Sequence, residues 1–156
     1  MKAIVTGSFD PFTLGHLEIV KKALKSFDNV YVVALINEAK DYMFSMDEKK
    51  EIIRLSTNEL DNVTADAYTG MTCDYMHKHG IKHIVRGVRN ENDLRYEENL
   101  ANQMKSFDKD FETVFIECDK EFNQISSTVV REIIEKKGDL AGYIHPCAIS
   151  YIEKIK

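Results

Sequence analysis

Residues 4–24 read IVTGSFDPFTLGHLEIVKKAL: a β-branched apolar run, then glycine and a polar loop, then apolar residues at helical spacing. That order describes a strand ending at Thr6, a loop opening at Gly7, and a helix beginning near Gly15. In a parallel sheet such a loop stands at the carboxyl end of a strand, where open α/β sheets bind ligands. Gly7 permits close approach of backbone, Ser8 and Thr13 carry hydroxyls, and His16 falls on the first helical turn, where free N–H groups attract anions. A plainer reading is a turn at Asp10-Pro11, a cap at Thr13 and a surface histidine. Residue types alone leave both readings open. Neither G-x-x-x-x-G-K-[ST] nor G-x-G-x-x-G occurs, so the common phosphate-loop fingerprints lose support. What stands there is Thr13-Leu14-Gly15-His16.

The strand-then-helix order repeats outward from this stretch. KAIVTG, NVYVVALIN, NVTADAY, KHIVRG and ETVFIEC read as strands. HLEIVKKALKSF, SMDEKKEIIRLSTNEL, TCDYMHKHG, NDLRYEENLANQMKSF and SSTVVREIIEKKG read as helices. Alternation of this kind predicts an α/β fold, a Rossmann-like doubly wound parallel five-stranded sheet with helices on both faces. The near-continuous apolar run from Val30 to Ile36 suits a strand buried on both sides. Ser45 with Glu48 forms a capping box, while Gly80 and Gly138 are placed to close helices. Residues 142–156 read as a further short helix after Pro146. With no repeat, linker or low-complexity tract, residues 1–156 form one domain.

Composition narrows the function. The chain has 156 residues, 44% hydrophobic and 30% charged, with a formal net charge of −5. No run of Lys or Arg exceeds two residues, so a nucleic-acid-binding surface is not expected and phosphate recognition must be local. Three cysteines, Cys73, Cys118 and Cys147, at unrelated spacings and an N-terminus without signal character point to a reducing cytoplasm. The longest apolar run, VYVVALI, is far short of the ~20 residues of a membrane span.

Three further segments carry chemistry. In IVRGVRNENDLRYEE, residues 84–98, Arg86 and Arg89 flank Gly87 at a strand end, where two guanidinium groups can fork onto phosphate oxygens. Glu91 and Arg95 are spaced as a helix salt bridge, whereas Arg86 and Arg89 have no equally good partner in sequence. In FNQISSTVVREII, residues 122–134, Ser126, Ser127 and Thr128 bring three hydroxyls to a helix start that needs one for its cap. Lys40 lies in a loop after the second strand, where a lone lysine is usually just solvated. Cys73, His77, His79 and His83 crowd together, but Gly80 interrupts them and the spacing matches no common zinc site.

Taken together, GSFDPFTLGH, RGVRNENDLRYE and ISSTVVRE resemble the nucleotidyltransferase superfamily with T/H-x-G-H and I-S-S-T-x-x-R signatures and, within it, the bacterial phosphopantetheine adenylyltransferases. The resemblance implies transfer of AMP from ATP to 4′-phosphopantetheine, giving dephospho-coenzyme A and pyrophosphate. It also implies Mg²⁺, a homohexamer and coenzyme A as a possible feedback ligand. By position it makes His16 the stabiliser of the reacting phosphate and lines the junction of nucleotide and acceptor with Ser8 and Phe9. Lys40, Thr72 and Arg86 are implied to hold the acceptor. Gly87, Val88, Arg89, Glu97 and residues Phe122, Asn123, Gln124, Ile125, Ser126, Ser127 and Thr128 are implied to hold ATP. The chain departs from the usual pattern at Thr6, often Pro, at Leu14, often polar, at Asp41-Tyr42, often Lys-Pro, and at Phe122, often Trp. Two rival readings share most of these features: a sister enzyme acting on another phosphorylated acceptor, and a nucleotide-sensing module without turnover.

Overall fold

The computed structural model describes residues 1–156. Five strands, β1 (Lys2–Gly7), β2 (Asn29–Ile36), β3 (Val63–Thr69), β4 (His83–Val88) and β5 (Glu112–Glu117), form one parallel sheet in the order β3-β2-β1-β4-β5. Six helices accompany them: α1 (Leu14–Ala23), α2 (Met46–Ser56), α3 (Thr72–His79), α4 (Glu91–Phe107), α5 (Ser127–Glu135) and α6 (Pro146–Ile155). The expected doubly wound architecture is therefore the one found.

Alternation along the strands splits the interior in two. Ala3, Val5, Val30, Val32, Ala34 and Val85 face one side and pack with Leu17 and Val20 of α1, Ile52 and Ile53 of α2, Val130 of α5 and Ile152 of α6. Ile4, Val33 and Ile84 face the other side, against Cys73, Tyr75 and Met76 of α3. Because crossovers are right-handed, winding outward through β1, β2 and β3 puts α1 and α2 on the first face. Returning past β1 to β4 and β5 puts α3 and α4 on the second. The direction of winding reverses between β1 and β4, and their carboxyl ends diverge there into a crevice.

Local signals account for most helix boundaries. Ser45 accepts the Glu48 amide and Glu48 accepts the Ser45 amide, the capping box expected for α2. Gly80 closes α3 in the left-handed conformation, with φ of 66°. Gly138 requires a correction. The left-handed residue after α5 is Lys137, with φ of 54°, while Gly138 donates its amide to Ile133 O at 2.8 Å and Lys137 donates to Ile134 O at 3.0 Å. This is the Schellman pattern shifted by one position, with lysine in the place that favours glycine. Lys137→Gly is accordingly expected to raise stability by about 1 kcal/mol, read from a urea midpoint at unchanged slope.

Candidate active site

The crevice at the reversal point holds a cavity of about 330 Å³ whose lining includes Gly7, Ser8, Phe9, His16, Arg86, Gly87, Arg89, Phe122, Ile125 and Ser127. Residues from four separated segments thus meet at the ends of β1 and β4. Glycine is needed at two of these places. A Cβ on Gly7 would lie 2.9 Å from the Phe9 ring, and one on Gly87 would lie 3.0 Å from Ile19 and 3.3 Å from Cys118 Sγ, so larger residues would push into the cavity wall.

His16 is set by its own helix. Thr13 is the N-cap of α1, and its side chain accepts the His16 amide at 3.4 Å. In return the Thr13 amide donates to His16 Nδ1 at 3.0 Å, so the histidine takes the place that glutamate usually has in a capping box. The plain reading holds for the turn at Asp10-Pro11 and the cap at Thr13 but not for His16, which lines the cavity instead of lying on the surface. The Thr13 hydroxyl, only 2% exposed and within 3.2 Å of Nδ1, is not offered to a ligand. Nε2 makes no hydrogen bond within the protein and is the ring nitrogen left for the cavity.

Burial, and secondly the positive charge of Arg89, lower the His16 pKa from 6.5 to about 4. The folded protein therefore binds fewer protons at this site than the unfolded chain between those two values, and stability falls as pH drops from 6.5 toward 4. Replacing His16 with Asn should remove that part of the acid sensitivity. Urea midpoints of the two proteins at pH 7.5 and 5 would diverge less at the lower pH if His16 stabilises the fold only while neutral.

Arg86 is engaged rather than free, contrary to the expectation from sequence. Its Nε and Nη2 donate to Glu97 at 2.7 and 2.9 Å, and Nη1 donates to Thr6 O and Thr6 Oγ1 at 3.2 and 3.0 Å. Glu97 is 7% exposed and is the one buried residue of α4, so this pair ties the helix to the sheet. The spacing that hid it is β4 to the second turn of α4, eleven residues across a turn. Thr6 stands where proline is frequent among the resembling proteins, and its hydroxyl completes the cradle. Arg86 keeps one N–H uncommitted on Nη2.

The hydroxyl cluster divides its work. Ser126 caps α5 by accepting the Val129 amide, Ser127 donates to Pro11 O at 2.8 Å, and Thr128 accepts from Arg131 Nη2 at 3.1 Å. Ser126 and Thr128 are therefore used within α5, while Ser127 alone fastens the helix to the β1–α1 loop and alone borders the cavity. Arg131 Nη1 donates to Asp10 O, while the buried Asp10 carboxylate accepts the Met43 and Phe44 amides at 2.9 Å. Asp10 and Arg131 thus join the β1–α1 loop, the loop before α2 and helix α5 beside the site. In the sequence Asp10 looks like a simple turn former, because nothing local marks a carboxylate whose partners lie over thirty residues away.

Lys40 lies outside the first cavity. It borders an open cleft of about 790 Å³ that also contains Arg131, Lys137 and Lys156, and Ser8 is shared by cleft and cavity. Its loop is anchored by Tyr42, whose hydroxyl accepts the Asn37 amide and whose ring lies 3.4 Å beneath Lys49 Nζ. Lys49 is fully buried without a hydrogen bond, and that burial lowers its pKa against the pull of Asp10. Thr72 begins α3 and borders a third, mostly apolar pocket of about 190 Å³ with Leu35, Leu100, Met104 and Phe107; Thr6, Arg86 and Glu97 also line it. Val88, Glu97, Asn123, Gln124, Ser126 and Thr128 stand outside the first cavity's lining. Among them Asn123 carries a buried side-chain oxygen without a partner.

A parallel sheet whose winding reverses between β1 and β4, with a helix-borne histidine and two arginines lining the crevice there, is the arrangement of a nucleotide-binding α/β protein. The chain belongs to the Cytidylyltransferase-like family, which it matches over residues 4–133. It is also similar to the phosphopantetheine adenylyltransferase of Thermotoga neapolitana, with 37% identity over 157 residues covering 100% of this chain and 98% of that protein. No helix is long and apolar enough to cross a membrane.

Proposed function

We propose that this protein transfers AMP from ATP to 4′-phosphopantetheine, releasing pyrophosphate and dephospho-coenzyme A. The observation that carries the reading is the placement of Thr6 and Arg86 in the walls of both the polar cavity and the apolar pocket, next to His16. A nucleotide in the first and a pantetheine arm in the second would bring their phosphates together at that shared wall. Full-length similarity to a protein of that name supports the same assignment.

The acceptor phosphate, with a second pKa of ~6, is already a nucleophile near neutral pH. Its oxygen attacks the α-phosphorus of ATP, the bond from that phosphorus to the bridging β-oxygen breaks, and the electron pair leaves with pyrophosphate. No side chain need take a proton. The protein contributes alignment of two anions and stabilisation of charge on the equatorial oxygens. His16 Nε2–H, at the N-terminus of α1, supplies the second. Arg89, Arg86 and, from the neighbouring cleft, Lys40 supply the first. Mg²⁺ enters as part of the nucleotide substrate. No carboxylate borders the cavity, which suits an ion held by phosphate and water oxygens.

The finer expectations follow from the same reading. Phe107 and Tyr96 are 55% and 64% exposed on a helix with a single buried residue, which favours coverage of α4 by further copies, as in a homohexamer. Three unpaired cysteines suit the cytoplasm. Coenzyme A, which contains both halves of the product, would compete for the same two cavities.

Incubation with ATP, Mg²⁺ and 4′-phosphopantetheine, followed by pyrophosphate release and mass spectrometry, tests the assignment. A product at the mass of dephospho-coenzyme A is expected. Turnover only with glycerol phosphate or nicotinamide mononucleotide would move the protein to a sister activity, and ATP binding without pyrophosphate would leave a sensing module.

A further inference from the structure

Phe12 lines neither the cavity, the cleft nor the apolar pocket described above. It is 1% exposed, and its ring centroid lies 5.4 Å from that of His16, tilted by 35°. Phe9 meets the same imidazole edge-on at 4.9 Å and Phe12 at 5.2 Å, so the three rings form one cluster. Thr13, next in sequence, points its amide hydrogen at Nδ1. That hydrogen cannot be moved to another atom, so Nδ1 must present a lone pair to keep the bond. A neutral imidazole then carries its one proton on Nε2. An imidazolium would set N–H against N–H and would hold its charge out of water beside the Phe9 and Phe12 rings.

The charge next to the ring acts in the same direction. Arg89 reaches the cavity from the end of β4 as an unmatched cation, whereas Arg86 is paired with Glu97, Asp10 is occupied by two amides, and burial keeps the Cys118 thiol uncharged. No carboxylate in the cavity lining offsets a positive ring.

We propose that Phe12 and Thr13 are positioning residues that lock His16 as an uncharged Nε2–H donor aimed into the cavity. The reaction it serves rests on the function proposed above; the state of the ring does not. An uncharged donor has a mechanistic advantage. A cation would hold the nucleotide's ground-state charge and the transition state alike, which lowers KM without raising kcat. A fixed neutral N–H instead strengthens its bond as charge accumulates on the reacting oxygens. Burial and Arg89 hold the ring neutral across the physiological range, with a pKa of about 4.

The test uses ¹⁵N-labelled ligand-free protein, with side-chain nitrogen shifts of His16 followed from pH 8 to 4 and assigned by their loss in His16→Asn. Wild type should show Nδ1 unprotonated and Nε2 protonated, unchanged down to pH 5. Phe12→Leu should shift the midpoint upward toward 6.5, draw the two nitrogen shifts toward an average of tautomers, and lower kcat by about 10-fold with KM for both substrates within about 2-fold. A proton on Nδ1, a wild-type midpoint near 6.5, or a folded Phe12→Leu protein with unchanged ring behaviour would overturn the proposal. The wild-type titration decides the matter even if Phe12→Leu does not fold. A locked ring in a protein that forms no dephospho-coenzyme A would instead refute the assigned reaction and leave the positioning role standing.

Discussion

His16→Ala should lower kcat by about 100-fold or more at saturating substrates while the protein stays folded. The size follows from the role. His16 supplies one hydrogen-bond donor to charge that develops during transfer, in a site where water is partly excluded and no other uncharged side-chain donor is fixed by the helix start. KM for ATP should change little, because Arg89 and the amides at the start of α1 still attract the phosphates. The fold should survive because Thr13 still caps α1 with its hydroxyl, although the reciprocal half of the capping box is lost at a cost of about 1 kcal/mol. Single-turnover rates with pre-bound substrates separate the chemical step from product release. A near-normal rate there would remove His16 from the mechanism.

The second large effect is on Arg86. Arg86→Ala leaves Glu97 as a buried carboxylate facing no cation, and about 3 kcal/mol of stability should be lost. That figure is the low end for a buried pair, since the arginine side chain is 30% exposed. KM for the acceptor should also rise by about 10-fold or more, because the remaining N–H and the charge of Arg86 border both cavities. The two losses can be separated. The double variant Arg86→Met with Glu97→Leu removes the orphaned charge and should recover most of the stability while acceptor KM stays high. Recovery of KM together with stability would confine Arg86 to tying α4 to the sheet.

These two residues also show what could be read in advance. His16 was visible because its position is set by local rules: a strand, a glycine, a cap, and the first turn of a helix. Its pairing with Thr13 was not, since capping boxes are sought with Glu or Gln at that place and the imidazole substitutes for them. Arg86 was visible as a strand-end cation, but its partner lies across a turn and one helix turn further, where sequence spacing gives no preferred geometry. Asp10 and Arg131 were harder still. Each works through backbone groups contributed by distant loops, and a backbone amide at Phe44 looks like any other until the chain is folded. Lys137 marks the opposite failure: the glycine beside it carried the expected signal, and the helix ended one residue earlier.

The amino-acid order by itself determined the alternation of five strands with helices and the polarity of the β1–α1 loop, because these depend on periodicity and on neighbours within a few residues. Tertiary structure alone decided which hydroxyl faces the cavity, which arginine is already paired, and which loop the Asp10 carboxylate holds. Those properties depend on distances between atoms far apart along the chain, and a guanidinium's free edge or a carboxylate's partners are fixed only when the distant segments arrive.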